Sequence, residues 1–196
     1  MDKYLFIGTH VDDAELSCGG FISKLIEEGK HVRVVTLSQI YGKENLIPEW
    51  FDSMDILGVN YLDHYLFKTR EFYKEQNEIL QELFSYQNYD FIVAPSSYDY
   101  HSDHSVVGYC ARRAFKSKNL ITYTGDWNRR TITHNYFVKL KKDHIEKKIK
   151  ALSCYKSQNH RNYMNADYIW ANARNMGVMA GCEFAEGFEV INLYDT

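Results

Sequence analysis

Apolar and polar positions alternate in blocks along this chain, and the period of the pattern changes from block to block. Tyr4–Thr9 is a short apolar run that predicts a strand, and it ends at the polar stretch His10–Asp13. Ala14–Glu28 repeats apolar residues at helical spacing (Leu16, Phe21, Ile22, Leu25, Ile26) and closes on Gly29, a residue suited to the turn that ends a helix. His31–Leu37 predicts a second strand through Val32, Val34 and Val35. Pro48 suits the first turn of a helix that runs to Leu57 and stops at Gly58. Asn60–Phe67 predicts a third strand, Thr69–Tyr86 a helix with Phe72, Ile79, Leu80 and Leu83 on one side, and Tyr89–Ala94 a fourth strand. Pro95 opens the loop SSYDYHSDH; His104–Lys116 then predicts a helix and Asn119–Tyr123 a fifth strand. The rest reads as a strand over Thr133–Leu140, helices over Asp143–Tyr155 and Ala166–Met176, and a strand over Phe188–Leu193.

Apolar strands alternating with helices predict an α/β, Rossmann-like three-layer fold, with a mostly parallel sheet covered on both faces. No repeat, low-complexity run or linker divides the 196 residues, so a single domain over 1–196 is expected. Composition adds mainly exclusions. With a formal net charge of -3 there is no basic surplus for nucleic acid. The longest apolar runs, Leu5–Gly8 and Phe91–Pro95, fall far below the ~18–20 residues of a membrane span. The opening MDKYLFIG has neither the apolar core nor the cleavage site of a signal peptide, which points to a cytoplasmic protein. Cys18, Cys110, Cys154 and Cys182 form no CxxC pair and are expected as reduced, mostly buried thiols. Tyrosines in polar segments, such as Tyr98, Tyr100, Tyr163 and Tyr168, are of the kind that lines sugar sites, but composition alone assigns them nothing.

The chemistry concentrates in two segments, Thr9-His10-Val11-Asp12-Asp13 and His101-Ser102-Asp103-His104. Each follows a predicted strand, the first and the fourth. In a doubly wound sheet these strands are commonly neighbours, and ligands bind at their carboxyl ends, so segments about ninety residues apart are expected to meet there. Singly, each has ordinary uses: Asp12 or Asp13 can cap the following helix, and HSDH can be an exposed loop. Together, two histidines, a carboxylate and a water match a catalytic zinc site with an open position. Adjacent Asp12 and Asp13 would also repel one another without a cation.

These residues resemble the LmbE/PIG-L family of zinc-dependent N-acetylglucosaminyl deacetylases. THVDDAELSCGG is similar to its opening His-Pro-Asp-Asp-Glu followed by Gly-Gly, and HSDH to its His-Pro-Asp-His. KALSCYKSQ (Lys150–Gln158) resembles its helix ending in Ser-Gln, Asn172–Gly177 the segment around its late arginine (Arg174), and AEGFEV (Ala185–Val190) its Ala-Glu-Ala-Phe. The matches run in order from residue 3 to 191. Val11, Ala14 and Ser102 depart from the pattern, with a neighbouring acid at Glu15; none of these changes touches a proposed ligand.

The resemblance implies His10, Asp13 and His104 as metal ligands, for Zn or for Fe or another divalent metal. It implies Asp12 as general base and proton donor, His101 as electrostatic partner of the oxyanion, and Asp103 as the group that orients a histidine or caps the following helix. The implied reaction removes an N-acetyl group from an amino sugar or its conjugate. Two alternatives stand beside it: an amidase on another small-molecule amide with the same metal chemistry, and a non-catalytic sugar- or metal-binding relative. His31, His64, His144 and His160 are expected outside the crevice, and His134 is a weaker candidate for it. Gly19-Gly20 is expected to permit close backbone packing near the metal; the absence of GxGxxG argues against a dinucleotide site. Specificity is expected from Gln39–Pro48, Ser96–Tyr100, Tyr123–Arg130 and Asn159–Asp167, where Arg129, Arg130 and Arg161 are either anion contacts or solvated charges. The expected partner is a small N-acetylated sugar or conjugate; homo-oligomerisation is left open.

Overall fold

A computed structural model describes residues 2–38, 40–41, 44–128 and 133–195. Strands β1 (Lys3–His10), β2 (His31–Ser38), β3 (Tyr61–His64), β4 (Phe91–Pro95), β5 (Asn119–Tyr123), β6 (Tyr136–Leu140) and β7 (Phe184–Asn192) form one seven-stranded sheet in the order β3-β2-β1-β4-β5-β7-β6. The first five in that order run parallel, while β7 pairs antiparallel with both β5 and β6. The helices are α1 (Asp13–Glu27), α2 (Ile47–Leu57), α3 (Gln76–Phe84), α4 (Ser102–Ala114), α5 (Lys142–Leu152) and α6 (Ala166–Met179).

Strand periodicity splits the core into two layers, because successive side chains leave a strand on opposite faces. Phe6, Val32 and Val34 face α1, α2, α5 and α6, where Ile22, Trp50, Ile145 and Ile169 are buried. Leu5, Ile7 and Leu37 face α3 and α4, against Ile79, Leu83, Val107 and Cys110. This is a three-layer fold around a mostly parallel sheet, as the alternation of strands and helices predicts. β1 pairs with β2 on one side and β4 on the other, so the loops after β1 and β4 emerge side by side. Gly108 lets α4 lie directly on the loop after β4: a Cβ at that position would overlap the backbone of Ser96 and Ser97. Among the described residues, no helix is long and apolar enough to cross a membrane.

Several elements differ from expectation. The helix expected from Thr69 begins only at Gln76. The intervening chain turns at Arg70, whose φ is 69°, and Phe72 is fully buried against the His10 and Phe67 rings rather than on a helical stripe. The third strand is shorter, Tyr61–His64, although Tyr65 and Phe67 still donate to Thr36 and Leu37 of β2. β6 begins at Tyr136 rather than Thr133, and β7 begins at Phe184, four residues before the expected start. α4 starts at Ser102 with His101 as its cap, so Asp103 sits inside the first turn and is not the capping residue. Of the cysteines, all free, Cys18 and Cys110 are buried while Cys154 and Cys182 are partly exposed.

Candidate metal centre and its cavity

The polar ends of β1 and β4 meet as their adjacency requires. His10 Nδ1 lies 3.3 Å from Asp13 Oδ2 and His104 Nε2 lies 3.2 Å from the same oxygen. The ligand atoms that His10, Asp13 and His104 offer are all within 4.8 Å of one another, a grouping able to hold a metal ion. Each imidazole is also held from behind. His10 Nε2 is 3.1 Å from Asp103 Oδ2, and His104 Nδ1 is 3.2 Å from Asp99 Oδ2. Asp99 is itself fixed by the Thr124 hydroxyl (2.8 Å) and the His101 backbone N–H (2.8 Å). Asp103 Oδ2 also accepts the Arg70 backbone N–H (2.6 Å), which is what the turn at Arg70 delivers.

The charges respond to this packing. Burial pushes the Asp13 carboxyl up, but the charges and hydrogen bonds of His104 and His10 outweigh it and hold the group well below the usual range. Burial pulls His104 down, yet the Asp13 charge and the bonds to Asp13 and Asp99 carry it up to about 10. His10 is likewise raised, burial being outweighed by Asp103 and Asp13. Asp12 moves the other way: burial raises its carboxyl well above the ordinary value, and the Asp13 and Glu15 carboxylates add to the effect. Its backbone, at φ 85°, is a left-handed conformation that Asp tolerates better than most residues, and it turns the chain from β1 into α1. Glu15, buried one turn on, is bonded to the Tyr155 hydroxyl and raised to about 7 by burial.

His101 completes a triangle of rings with His10 and His104, its centroid 5.0 Å from that of His10 and 4.7 Å from that of His104, which are themselves 5.3 Å apart. Its Nδ1 accepts the Asp103 backbone N–H at 3.3 Å, which leaves Nε2 as the protonated nitrogen of a neutral ring. Burial and the two neighbouring histidines lower its pKa, which favours that neutral form.

A cavity of about 160 Å³ opens onto these groups. Asp12, Asp13, His10, His101 and His104 form part of it; Val11, Leu16, Ser38, Leu46, Asn128, Gln158, Arg161, Trp127 and Tyr163 complete the wall. Trp127 and Tyr163 stack with centroids 4.0 Å apart and planes 10° apart, and the Arg161 guanidinium lies 5.6 Å from the Tyr163 centroid. Three of the four expected specificity loops therefore contribute. Ser96–Tyr100 instead supports the site from behind through Asp99, and Arg129 and Arg130 lie outside the described residues. His31, His64, His144 and His160 do not line the cavity; His134 lines a neighbouring one with Gly187.

Gly19-Gly20 permits the expected close packing, but against other elements than the His10, Asp13 and His104 cluster: a Cβ on Gly19 would meet Lys148 Cγ at 2.8 Å, and one on Gly20 would meet Leu140 Cδ1 at 2.5 Å and Glu186 Oε1 at 3.0 Å. Arg174, to which the resemblance assigns no role, is exposed, pairs with Glu183 at 3.4 Å and does not line the cavity. The residues that sequence reasoning missed are Asp99, the Arg70 backbone and the Trp127–Tyr163 stack. An aspartate five residues before His104 in a polar loop is the one sequence signal that would have marked Asp99.

A family model described as PIG-L, GlcNAc-PI de-N-acetylase, matches residues 5–115. The chain belongs to the PIG-L family. That match contains all six histidines and aspartates of the two His/Asp segments, whereas Gln158, Arg161 and Glu186 lie beyond it. No curated protein matches the chain. Solved structures with the PIG-L fold seen here include N,N'-diacetylchitobiose deacetylase from Pyrococcus horikoshii, with a TM-score of 0.78 at 22% identity over 97% of this chain and 84% of that one. A zinc-inhibited form of teicoplanin deacetylase Orf2 aligns with a TM-score of 0.78 at 16% identity, over 99% of this chain and 100% of that one. GalB, the 4-carboxy-2-hydroxymuconate hydratase of Pseudomonas putida KT2440, aligns as well, with a TM-score of 0.79 at 18% identity over 100% and 98%. The fold is thus shared by deacetylases and by a hydratase, and the side chains of the site must choose between reactions.

Proposed function

We propose that this chain is a single-domain, metal-dependent N-deacetylase acting on an acetamido sugar or its conjugate. One observation carries the reading. Asp13 Oδ2 faces a nitrogen of both His10 and His104, while the far nitrogens of those rings are already held by Asp103 and Asp99. Without a cation, both rings must carry two protons to satisfy carboxylates on either side. A divalent metal held by His10, Asp13 and His104 would take the place of the inner protons, and each imidazole would then keep the single tautomer its outer carboxylate selects. The N, N, O donor set fits zinc with an open position.

When bound, the metal supplies Lewis acidity, polarising the acyl carbonyl and acidifying a water near neutral pH. Asp12 accepts the proton of the attacking water on its carboxylate; its raised pKa suits an acid–base group that must also give the proton up. His101 presents its Nε2–H to the oxygen that gains charge as the carbonyl carbon becomes tetrahedral. Asp12 then passes its proton to the departing nitrogen, so that amide and water become acetate and amine. Asp103 and Asp99 are positioning residues that hold His10 and His104 in orientation. The Trp127–Tyr163 stack offers the flat apolar face that a sugar ring packs on.

The test is acetate release from N-acetylglucosamine conjugates by protein loaded in turn with zinc, iron, cobalt and manganese. The panel is needed because one structural neighbour is a zinc-inhibited deacetylase. Asp12→Ala is expected to abolish turnover with metal content nearly intact, and His104→Ala to lose the metal. Turnover unaffected by Asp12→Ala would overturn the assigned role of that residue.

A further inference from the structure

Gln158 closes the Ser-Gln segment on a short turn, Lys156–Gln158, and it is 1% exposed. It lines the same cavity as Asp12 and His101. Its amide is oriented by a chain of hydrogen bonds whose direction is fixed at one end. The Glu49 carboxylate can only accept, so it takes the Ser157 hydroxyl proton at Oε2 (2.6 Å) and the Ser157 backbone N–H at Oε1 (3.2 Å). With its proton committed, the Ser157 hydroxyl can only accept from Gln158, and the 3.2 Å contact is a bond from Gln158 Nε2–H to Ser157 Oγ. The amide cannot flip without placing oxygen against oxygen. Gln158 Oε1 is thereby left as a buried acceptor, and it has no hydrogen-bond partner among the described residues. A buried carbonyl oxygen without a donor is costly, which makes this atom a place where a ligand N–H or O–H gains most.

Building on the deacetylase reading, we infer that Gln158 Oε1 accepts the N–H of the scissile amide, so that the site takes secondary amides in preference to esters and tertiary amides. The chemistry of the step requires such a contact more than the ground state does. As the carbonyl carbon becomes tetrahedral, the nitrogen loses conjugation and pyramidalises, and its lone pair must face the proton held by Asp12. An acceptor that holds the N–H fixes the rotation about the C–N bond and turns the lone pair toward that proton. The bond order changes at carbon and nitrogen are unaltered: the C–N bond breaks, the nitrogen gains the proton from Asp12, and the N–H on Gln158 is retained in the amine product. A site built around such an acceptor discriminates strongly against analogues that lack the donor.

The experiment compares methyl 2-acetamido-2-deoxyglucoside with methyl 2-O-acetylglucoside, which carries oxygen in place of N–H, on metal-loaded wild type, Gln158→Met and Ser157→Ala. Gln158→Met is expected to lower kcat/KM for the amide roughly 10- to 100-fold and for the ester less than about threefold, with unchanged metal content. Ser157→Ala frees the amide to turn and is expected to shift selectivity the same way by a smaller factor. It carries the test if Gln158→Met fails to fold. Equal losses on both substrates, or no loss on either, overturn the inference, since the oxygen would then bind some other donor or serve packing alone. Wild type inert toward both glucosides and toward the wider panel of N-acetylated sugars overturns the deacetylase reading itself, an outcome distinct from a selectivity that fails to move.

Discussion

Helix α1 carries a buried cluster of charge on each of two surfaces, and the two are built on opposite plans. Behind its middle, Lys148 Nζ lies 2.7 Å from Glu186 Oε1, and the Glu186 oxygens also accept the backbone N–H groups of Gly20 (2.9 Å) and Phe21 (2.8 Å). One cation meets one anion, and each carboxylate oxygen has a donor. At the helix start, five carboxyl groups (Asp12, Asp13, Glu15, Asp99, Asp103) crowd around three imidazoles, and Asp103 Oδ1 and Glu15 Oε2 have no hydrogen-bond partner among the described residues. The first cluster closes on itself and ties α1 to α5 and β7. The second is short of positive charge and open to a cavity. Buried polar groups that are fully matched hold a fold together; those left unmatched mark where something else must bind.

That contrast can be broken in four ways. Asp12→Asn should lower kcat by about 10²–10⁴-fold, the usual weight of a positioned acid–base group, while the melting temperature stays close to wild type because asparagine also accepts the left-handed backbone at φ 85°. Glu186→Ala should do the reverse in kind, costing about 3–5 kcal/mol of stability in chemical denaturation by leaving the Lys148 ammonium buried and unpaired. The pair Lys148→Met with Glu186→Gln should recover most of that loss; a double variant as unstable as the single would show that the charge is not the cause. Removing metal with a chelator should destabilise the protein by about 2.7 kcal/mol if the ion was present at a hundred times its Kd. The Lys148–Glu186 contacts should be untouched by the chelator, which hydrogen exchange at Gly20 and Phe21 would read. Smallest is Asp99→Asn, expected to weaken metal binding about 10- to 100-fold by removing the carboxylate behind His104, as measured by competition with a metal-binding dye.

Much of this was legible in the sequence for a simple reason: local period and strand order are enough to bring two short segments together. Apolar strands at 4–9 and 89–94 place the His/Asp segments at one sheet edge, and the resemblance to a family adds roles to them. What was not legible depends on bonds that carry no local signature. Asp99 looks like any loop aspartate until Thr124 and His104 fold against it. Phe72 extends an apparent helical stripe, yet packs under His10, because the chain is bent at Arg70 to bring a backbone N–H to Asp103. Gly19-Gly20 announces a close approach but not of what; Lys148 and Glu186, more than a hundred residues away, supply the answer.

The bend at Arg70 has a consequence for how this site tolerates change. Its contribution to Asp103 comes from the main chain, at a left-handed φ of 69°, so it does not depend on which side chain stands there. Drift at position 70 is therefore constrained by backbone shape: glycine and asparagine adopt that conformation most readily, β-branched residues resist it, and proline removes the N–H altogether. A selection experiment that randomises this position should be read as a record of permitted backbone geometry, with the histidine it steadies two strands away as the quantity being conserved.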